Sequence, residues 1–109
     1  MKGKIVLVPF PFTDLTAVKL RPALVLFEGE RDVVVAFISS RIPDELKPTD
    51  ILIEETHPDF KITGLKTGSV IKLDKIATLS KSMVMGEIGE ISHQIKKEIN
   101  EKIIKAYSL

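Results

Sequence analysis

Residues 19–26 read KLRPALVL, a cationic start that runs directly into an apolar strand. Pro22 has its φ fixed at about −65° and has no N–H to donate, so we expect it to open the strand and not to lie inside a paired one. It also restricts Arg21 to an extended backbone. The sequence therefore predicts that the Arg21 guanidinium lies at the rim of a buried core.

A second predicted apolar strand also has polar and cationic residues at one of its ends. Residues 33–38 read VVVAFI and are followed by Ser39, Ser40 and Arg41. If the two strands pair in one sheet, their polar ends meet at one edge. An arginine and a serine hydroxyl at one edge suit a phosphate group, because the guanidinium is planar, always charged and matched to phosphate oxygens. Salt bridges at the rim of the sheet would account for the same residue types.

The composition of the 109 residues is typical of one small globular domain spanning 1–109, with 44% hydrophobic residues and a mean hydropathy of +0.16. No apolar run approaches the roughly 18 residues of a membrane span, and no signal-peptide pattern follows Met1, so we expect a cytoplasmic protein without a membrane partner. The lack of cysteine excludes disulfides, thiolate zinc sites and cysteine nucleophiles. A net charge of +1 requires any nucleic-acid site to be a local cluster of cations.

Short runs rich in β-branched residues predict a mainly β domain, a small, strongly bent sheet or barrel. The Pro-Phe-Pro-Phe segment at 9–12 is expected to break regular pairing, residues 13–18 to form a loop, and the Gly86-x-x-Gly89 segment to form a bend. The predicted strands cover residues 4–8, 23–27, 33–38, 51–54, 69–73 and 76–79.

The end of the chain changes period. Isoleucines at 88, 91, 95, 99 and 103 recur every three or four residues, which predicts an amphipathic helix with Ser92 as its N-cap. The isoleucine stripe is expected to close one side of the barrel, and the charged residues between to face solvent.

Several other chemistries have little support in the sequence. His57 precedes a proline in a turn and His93 opens the predicted helix, so both are expected to be exposed and not to form a catalytic pair of imidazoles. The chain has no metal-ligand spacing and no phosphate-binding loop of the P-loop type. No metal or other cofactor is expected.

Three segments together resemble the PemK/MazF family of toxin endoribonucleases. They are GKIVLVPFPFTD at 3–14, KLRPALVL at 19–26 and VVAFISSR at 34–41, and residues 63–71, the strand around Lys75 and Ile76, and the closing helix add to the likeness. The resemblance implies a small SH3-like barrel with a C-terminal α-helix that forms a homodimer. It also implies a toxin of a type II toxin–antitoxin system that cuts single-stranded RNA and is inhibited by a cognate antitoxin protein.

The same resemblance implies roles for individual residues. Arg21 stands where the family has a catalytic arginine, and Ser39 where it usually has a catalytic threonine. The RNA-binding residues expected from it are Phe12, Thr13, Asp14, Lys19, Ser40 and Arg41.

This chain departs from the family pattern at two places. Lys4 replaces the usual aspartate, and residues 15–18 lack the usual glycine.

The implied reaction is a metal-independent cleavage that leaves a 2′,3′-cyclic phosphate and a 5′-OH. The alternatives are a non-catalytic, protein-binding toxin of the same barrel family, similar to the gyrase inhibitors, or an inactive paralogue. Retention of Arg21 and of a hydroxyl at position 39 favours the nuclease.

Overall fold

The computed structural model describes residues 1–10 and 19–109, and within them six strands form one antiparallel sheet that curls into a half-barrel. The elements are β1 (Lys4–Phe10), β2 (Lys19–Glu28), β3 (Asp32–Ser39), β4 (Asp50–Ile53), β5 (Ser69–Ser80), β6 (Gly86–Glu90) and α1 (His93–Tyr107). The spatial order of the strands is β4-β5-β3-β2-β1-β6, and the C-terminal helix α1 follows β6. The mainly β fold with a closing helix is thus confirmed.

Helix α1 covers one face of the sheet. Its Ile95 and Ile99 are buried, and the Ser92 hydroxyl caps the helix by accepting a hydrogen bond of 3.3 Å from the Ile95 N–H. Of the predicted stripe, Ile95, Ile99 and the partly buried Ile103 lie on the helix, whereas Ile88 belongs to β6 and Ile91 precedes the helix. The core also contains Ile5, Leu24, Ala36, Ile38, Ile51, Ile53, Ile71, Leu73 and Ile91. Because the strand side chains alternate between faces, the residues between these point to the opposite side of the sheet.

The opposite face, here called the valine face, carries a second core. Its buried members are Val6, Val8, Ala23, Val25, Val33, Val35 and Leu79. No α-helix in the described part of the chain packs on this face. Partly buried apolar side chains continue it outward, namely Phe37, Ala77, Val84 and Met83, the last from the short 3₁₀ helix Lys81–Met83. Four of the functional residues predicted from the sequence, Arg21, Ser39, Ser40 and Arg41, lie beyond this second core, at one end of β2 and β3.

Pro22 lies inside a paired strand, contrary to the sequence prediction. It is opposite Leu7 of β1, and the pairing of β1 with β2 continues past it to Phe10 and Lys19. The Leu7 carbonyl accepts a hydrogen bond from the Met85 N–H at 2.8 Å, so the polar groups of Leu7 point towards β6 and the nitrogen of Pro22 points away from β1. On that side the pairing of β2 with β3 ends at Ala23 and Phe37, so the missing N–H breaks no ladder bond.

Three other features differ from the prediction. Strand β1 continues through Pro9, which pairs with Leu20, so the proline does not break the pairing there. Strand β5 is one strand with a bulge where the sequence predicts a break: Ala36 pairs with Ile76 but Phe37 pairs with Lys72. Residues 86–90 form β6 against β1 instead of a bend. All three depend on backbone pairing with distant residues, which a local pattern does not reveal.

Two glycines allow β6 to pass close to the short 3₁₀ turn Lys61–Thr63. Gly64 has a φ of 73°, in the left-handed region, and a Cβ there would overlap the Ile88 carbonyl. A Cβ on Gly89 would overlap the Thr63 carbonyl and lie 2.5 Å from the Ile62 carbonyl oxygen. Both obstacles are backbone atoms, which cannot move aside as a flexible side chain does.

We therefore expect Gly89→Ala to lower the free energy of unfolding by about 2 kcal/mol, a typical cost of overpacking. Gly86→Ala is the matched control, because it lies on the same strand and a Cβ there meets nothing within 4 Å. The control should change the stability by no more than about 0.5 kcal/mol. Urea unfolding monitored by circular dichroism measures both, and equal stability of the two variants would refute the close approach.

Candidate functional site

The end of the β2–β3 ladder brings the two predicted catalytic residues together. Ala23 is paired with Phe37, and continuing that antiparallel register by two residues brings Arg21 opposite Ser39. Since side chains alternate along a strand, both residues share the side of the sheet that carries Ala23 and Phe37, which is the valine face. The strands are no longer paired to each other at this point, so the space between their ends is open.

A cavity of about 800 Å³ occupies this end of the valine face. Its lining combines cations, hydroxyls and apolar side chains from β1, β2, β3, β5 and the start of the β3–β4 loop. The lining residues are Phe10, Arg21, Phe37, Ile38, Ser39, Ser40, Arg41, Lys72, Asp74, Lys75, Ile76 and Ala77.

The Ser39 hydroxyl is held with its proton available. Its Oγ accepts a hydrogen bond of 3.1 Å from the backbone N–H of Arg41. A serine hydroxyl that accepts one bond still has its own O–H to donate, and within residues 1–10 and 19–109 the Ser39 O–H donates to no protein atom. The turn that follows β3 therefore fixes the position of Oγ and leaves a donor for a bound group.

The Arg21 guanidinium is exposed, and no carboxylate in the described part of the chain lies within 4.0 Å of it. Arg41 and Lys75 likewise have no described carboxylate within 4.0 Å. Salt bridges among the described residues thus do not account for the cations at these strand ends, although the sequence alone allowed that explanation.

The lining carries four cationic side chains and one carboxylate, although the net charge of the chain is only +1. That carboxylate, Asp74, accepts a hydrogen bond of 3.0 Å from Lys47 Nζ. This bond lowers the pKa of Asp74 and raises the pKa of Lys47. Asp74 is therefore ionised at neutral pH and already paired with a cation outside the lining. The cavity consequently favours an anionic ligand.

Four of the residues predicted from the sequence meet in this cavity: Arg21, Ser39, Ser40 and Arg41. Lys19 is not part of the lining; it is exposed at the first position of β2, paired with Phe10, which does line the cavity. Phe12, Thr13 and Asp14 lie outside the described residues.

Sequence reasoning missed several lining residues. Phe37 lies two positions before Ser39, so the period of a strand already indicated that they share a face. Its ring centroid is 5.5 Å from that of Phe10. Lys72 and Lys75 gave no comparable signal, because the bulge in β5 decides which of its residues face the cavity.

Neither histidine lines the cavity. His93 is exposed as expected, but His57 is half-buried. His57 Nδ1 accepts a hydrogen bond from the Asp59 N–H at 2.9 Å. Among the described residues no three His, Cys, Asp or Glu side chains are grouped to hold a metal ion. In the same part of the chain, no helix is long and apolar enough to cross a membrane.

The curled six-stranded sheet with a closing helix is the fold of MazF-type toxins. Mycobacterium tuberculosis toxin MazF-mt6 is 21% identical, with a TM-score of 0.75 over 97% of each chain. An endoribonuclease in complex with its cognate antitoxin, from a mycobacterial species, is 21% identical with a TM-score of 0.71, covering 100% of this chain and 95% of that one. A MazE-MazF structure from Deinococcus radiodurans is 20% identical with a TM-score of 0.71, covering 99% and 95%.

A sequence model of one protein family matches residues 1–107. That family is described as the PemK-like, MazF-like toxin of type II toxin–antitoxin systems, and the chain belongs to it. The family resemblance seen in the three sequence segments is thereby confirmed. A comparison with curated proteins found no match.

Proposed function

We propose that this protein is a cytoplasmic, single-domain endoribonuclease that cuts single-stranded RNA at short sequences without a metal ion. The observation that carries the proposal is the pairing of two groups in one cavity. The Arg21 guanidinium has no described carboxylate partner, and the Ser39 hydroxyl keeps its proton free among the described residues. Membership of a toxin family that is generally composed of endoribonucleases supports it.

The proposed reaction is an internal transesterification. The ribose 2′-oxygen attacks the adjacent phosphorus and loses its proton, the bond from phosphorus to the 5′-oxygen breaks, and the 5′-oxygen takes up a proton. The products are a 2′,3′-cyclic phosphate and a 5′-OH. Arg21 stabilises the additional negative charge of the phosphorane, and Ser39 donates a hydrogen bond to a non-bridging oxygen or orients the 2′-OH. Arginine stays protonated at neutral pH, so no proton transfer is assigned to Arg21.

The rest of the cavity suits a flexible RNA strand. Single-stranded RNA is held by cations along its backbone and by aromatic side chains that stack on bases. We assign Lys19, Ser40 and Arg41 to phosphates that flank the cleaved one. Phe12, Thr13 and Asp14, outside the described residues, are proposed to contact the bases. Phe10, which is 42% exposed at the cavity, adds a second aromatic surface.

The direct test is incubation of the protein with a long single-stranded RNA in EDTA. Discrete fragments with 5′-OH ends are expected. Intact RNA together with tight binding to a protein partner would instead identify a protein-binding toxin of the same barrel family, similar to the gyrase inhibitors. Intact RNA with no such partner would identify an inactive paralogue.

Arg21→Ala is expected to lower the cleavage rate by about 100-fold or more, because removal of a donor to developing negative charge typically has an effect of this size. The stability should change little, since the side chain is exposed and makes no ion pair with a described residue. Single-turnover cleavage and thermal unfolding measure the two quantities. Cleavage at the wild-type rate would remove Arg21 from the mechanism.

For Ser39 the hydroxyl is the group under test. Ser39→Thr should retain activity because it keeps a hydroxyl, and Ser39→Ala should lose much of it. Ser39→Ala also removes the acceptor for the Arg41 N–H, so its thermal unfolding is compared with that of Ser39→Thr, which keeps the acceptor. Equal cleavage rates for Ser39→Ala and the wild type would show that the Ser39 hydroxyl takes no part.

We further propose a homodimer whose RNA groove runs along the subunit interface, and a cognate antitoxin that covers this groove. The similar structures include an endoribonuclease with its cognate antitoxin and a MazE-MazF complex, which supports an antitoxin partner here. Large apolar side chains are left exposed, among them Phe27 at 57% and Met85 at 61%. A second subunit would remove such surface from water.

The homodimer should dissociate on dilution, and RNA binding and cleavage should fall over the same concentration range. Sedimentation over a concentration series, run beside the cleavage assay, compares the two. Added salt should also weaken RNA binding, because phosphate contacts release counterions. A protein that is monomeric at micromolar concentration and still cuts at the full rate would refute the shared groove.

A further inference from the structure

Lys72 and the buried Asp50 form an ion pair at the wall of the cavity. Lys72 of β5 is paired directly with Asp50 of β4 on one side and with Phe37 of β3 on the other. These pairs bring Lys72 to the cavity face of the sheet, and it lines the cavity together with Arg21 and Ser39. Its side chain is only 23% exposed, unlike the solvent-exposed Arg41 and Lys75.

The partner of Lys72 is an unusual carboxylate. Asp50 has no solvent exposure, and its Oδ2 accepts a hydrogen bond of 2.9 Å from the Lys47 N–H. Its Oδ1 has no hydrogen-bond partner in the described part of the chain and lies 4.0 Å from Lys72 Nζ. A buried carboxylate is costly unless a cation compensates its charge, and Lys72 is the cation within 4.0 Å among the described residues.

The backbone around Asp50 is tied from several directions. Lys102 of α1 donates a hydrogen bond of 2.8 Å to the Asp50 carbonyl, and the Tyr107 hydroxyl donates one of 2.6 Å to the Leu73 carbonyl, next to Lys72. The Leu73 N–H in turn donates to the Thr49 carbonyl at 2.9 Å. The helix thus holds both strands of the pair in place from the opposite side of the sheet.

An ion pair 4.0 Å long leaves the lysine with donors to spare. An ammonium group has three N–H donors, and the Lys72 Nζ makes no hydrogen bond to a described protein atom. The ion pair therefore restricts the position of the ammonium group but leaves its hydrogen-bond donors without an acceptor among the described residues. A second anion that enters the cavity would complete its hydrogen bonds.

We infer that Lys72 binds an RNA phosphate inside the cavity and that the buried Asp50 is the positioning residue that fixes its ammonium at the cavity wall. The inference rests on the proposed function for the identity of the ligand. A preorganised cation loses less conformational entropy on binding than a mobile surface lysine does. Lys72 then differs from Arg41 and Lys75 in being held ready before the RNA arrives.

The test uses four variants of the full chain. Asp50→Asn keeps the acceptor for the Lys47 N–H but removes the charge, and Lys72→Arg keeps the cation. The double variant Asp50→Asn, Lys72→Gln removes both charges together, so it leaves no unpaired buried charge even if Lys72→Gln alone does not fold. Lys97→Gln is the control, since it makes the same charge change on an exposed position of α1, away from the cavity lining.

Binding is measured by fluorescence anisotropy with a short single-stranded RNA that carries 2′-O-methyl groups and cannot be cut, over a series of salt concentrations. The double variant should bind on the order of tenfold more weakly, with the slope of log affinity against log salt reduced by about 0.7, the value for one phosphate contact to a single strand. Lys97→Gln and Lys72→Arg should bind nearly as the wild type does. Asp50→Asn should weaken binding a few-fold and raise KM for cleavage, with kcat unchanged.

The possible outcomes distinguish the proposed nuclease activity from the proposed role of Lys72 in binding a phosphate. Wild-type affinity and salt slope in the double variant would overturn the role of Lys72 even if the wild-type protein cuts RNA. Wild-type affinity in Asp50→Asn would overturn the positioning role of Asp50. A wild-type protein that binds RNA but never cuts it, with the predicted loss in the double variant, would refute the nuclease and support Lys72. A wild-type protein that neither binds nor cuts would refute both.

Discussion

The cavity that carries Arg21 and Ser39 depends on one missing hydrogen-bond donor, the backbone N–H that Pro22 lacks. Pro22 is accommodated in β2 because its nitrogen points to the side where β3 is no longer paired, and the ladder between these strands ends at Ala23 and Phe37. A residue with an N–H at this position would permit one more backbone bond to β3. The proline thus marks where the sheet stops being a continuous surface, and the next residue outward on the valine face is Arg21.

The two faces of the sheet differ in what packs on them. One face packs against α1 and forms an isoleucine-rich core, to which the helix contributes Ile95 and Ile99 of the predicted stripe. The valine face has its own core but no α-helix over it in the described residues, and its apolar surface leads into the cavity. The helix still supports the cavity indirectly, through the bonds from Lys102 and Tyr107 to β4 and β5. The core that packs against α1 and the cavity therefore lie on opposite sides of the sheet.

The positive charge of the chain is concentrated at the cavity. A net charge of +1 gives no indication of an anionic ligand, yet the cavity collects four cations and a single carboxylate that Lys47 already pairs. This separation occurs because residues far apart in sequence, at the ends of β2, β3 and the bulged part of β5, reach one edge of the sheet. The proposed cleavage of RNA agrees with such a site, since a protein that binds RNA must attract a polyanion.

The sequence by itself determined the class of fold, the closing helix and its N-cap, and the presence of Arg21 and Ser39 at the ends of two strands. These are local properties: β-branched runs, an isoleucine period of three to four, and a proline next to a cation are visible within short windows. The tertiary structure alone decided that Pro22 and Pro9 lie within paired strands, that residues 86–90 join the sheet, and that Lys72 with Asp50 lies at the wall of the cavity. Each of these follows from strand register and from a bulge, which are set by hydrogen bonds between distant segments and leave no periodic mark in the sequence.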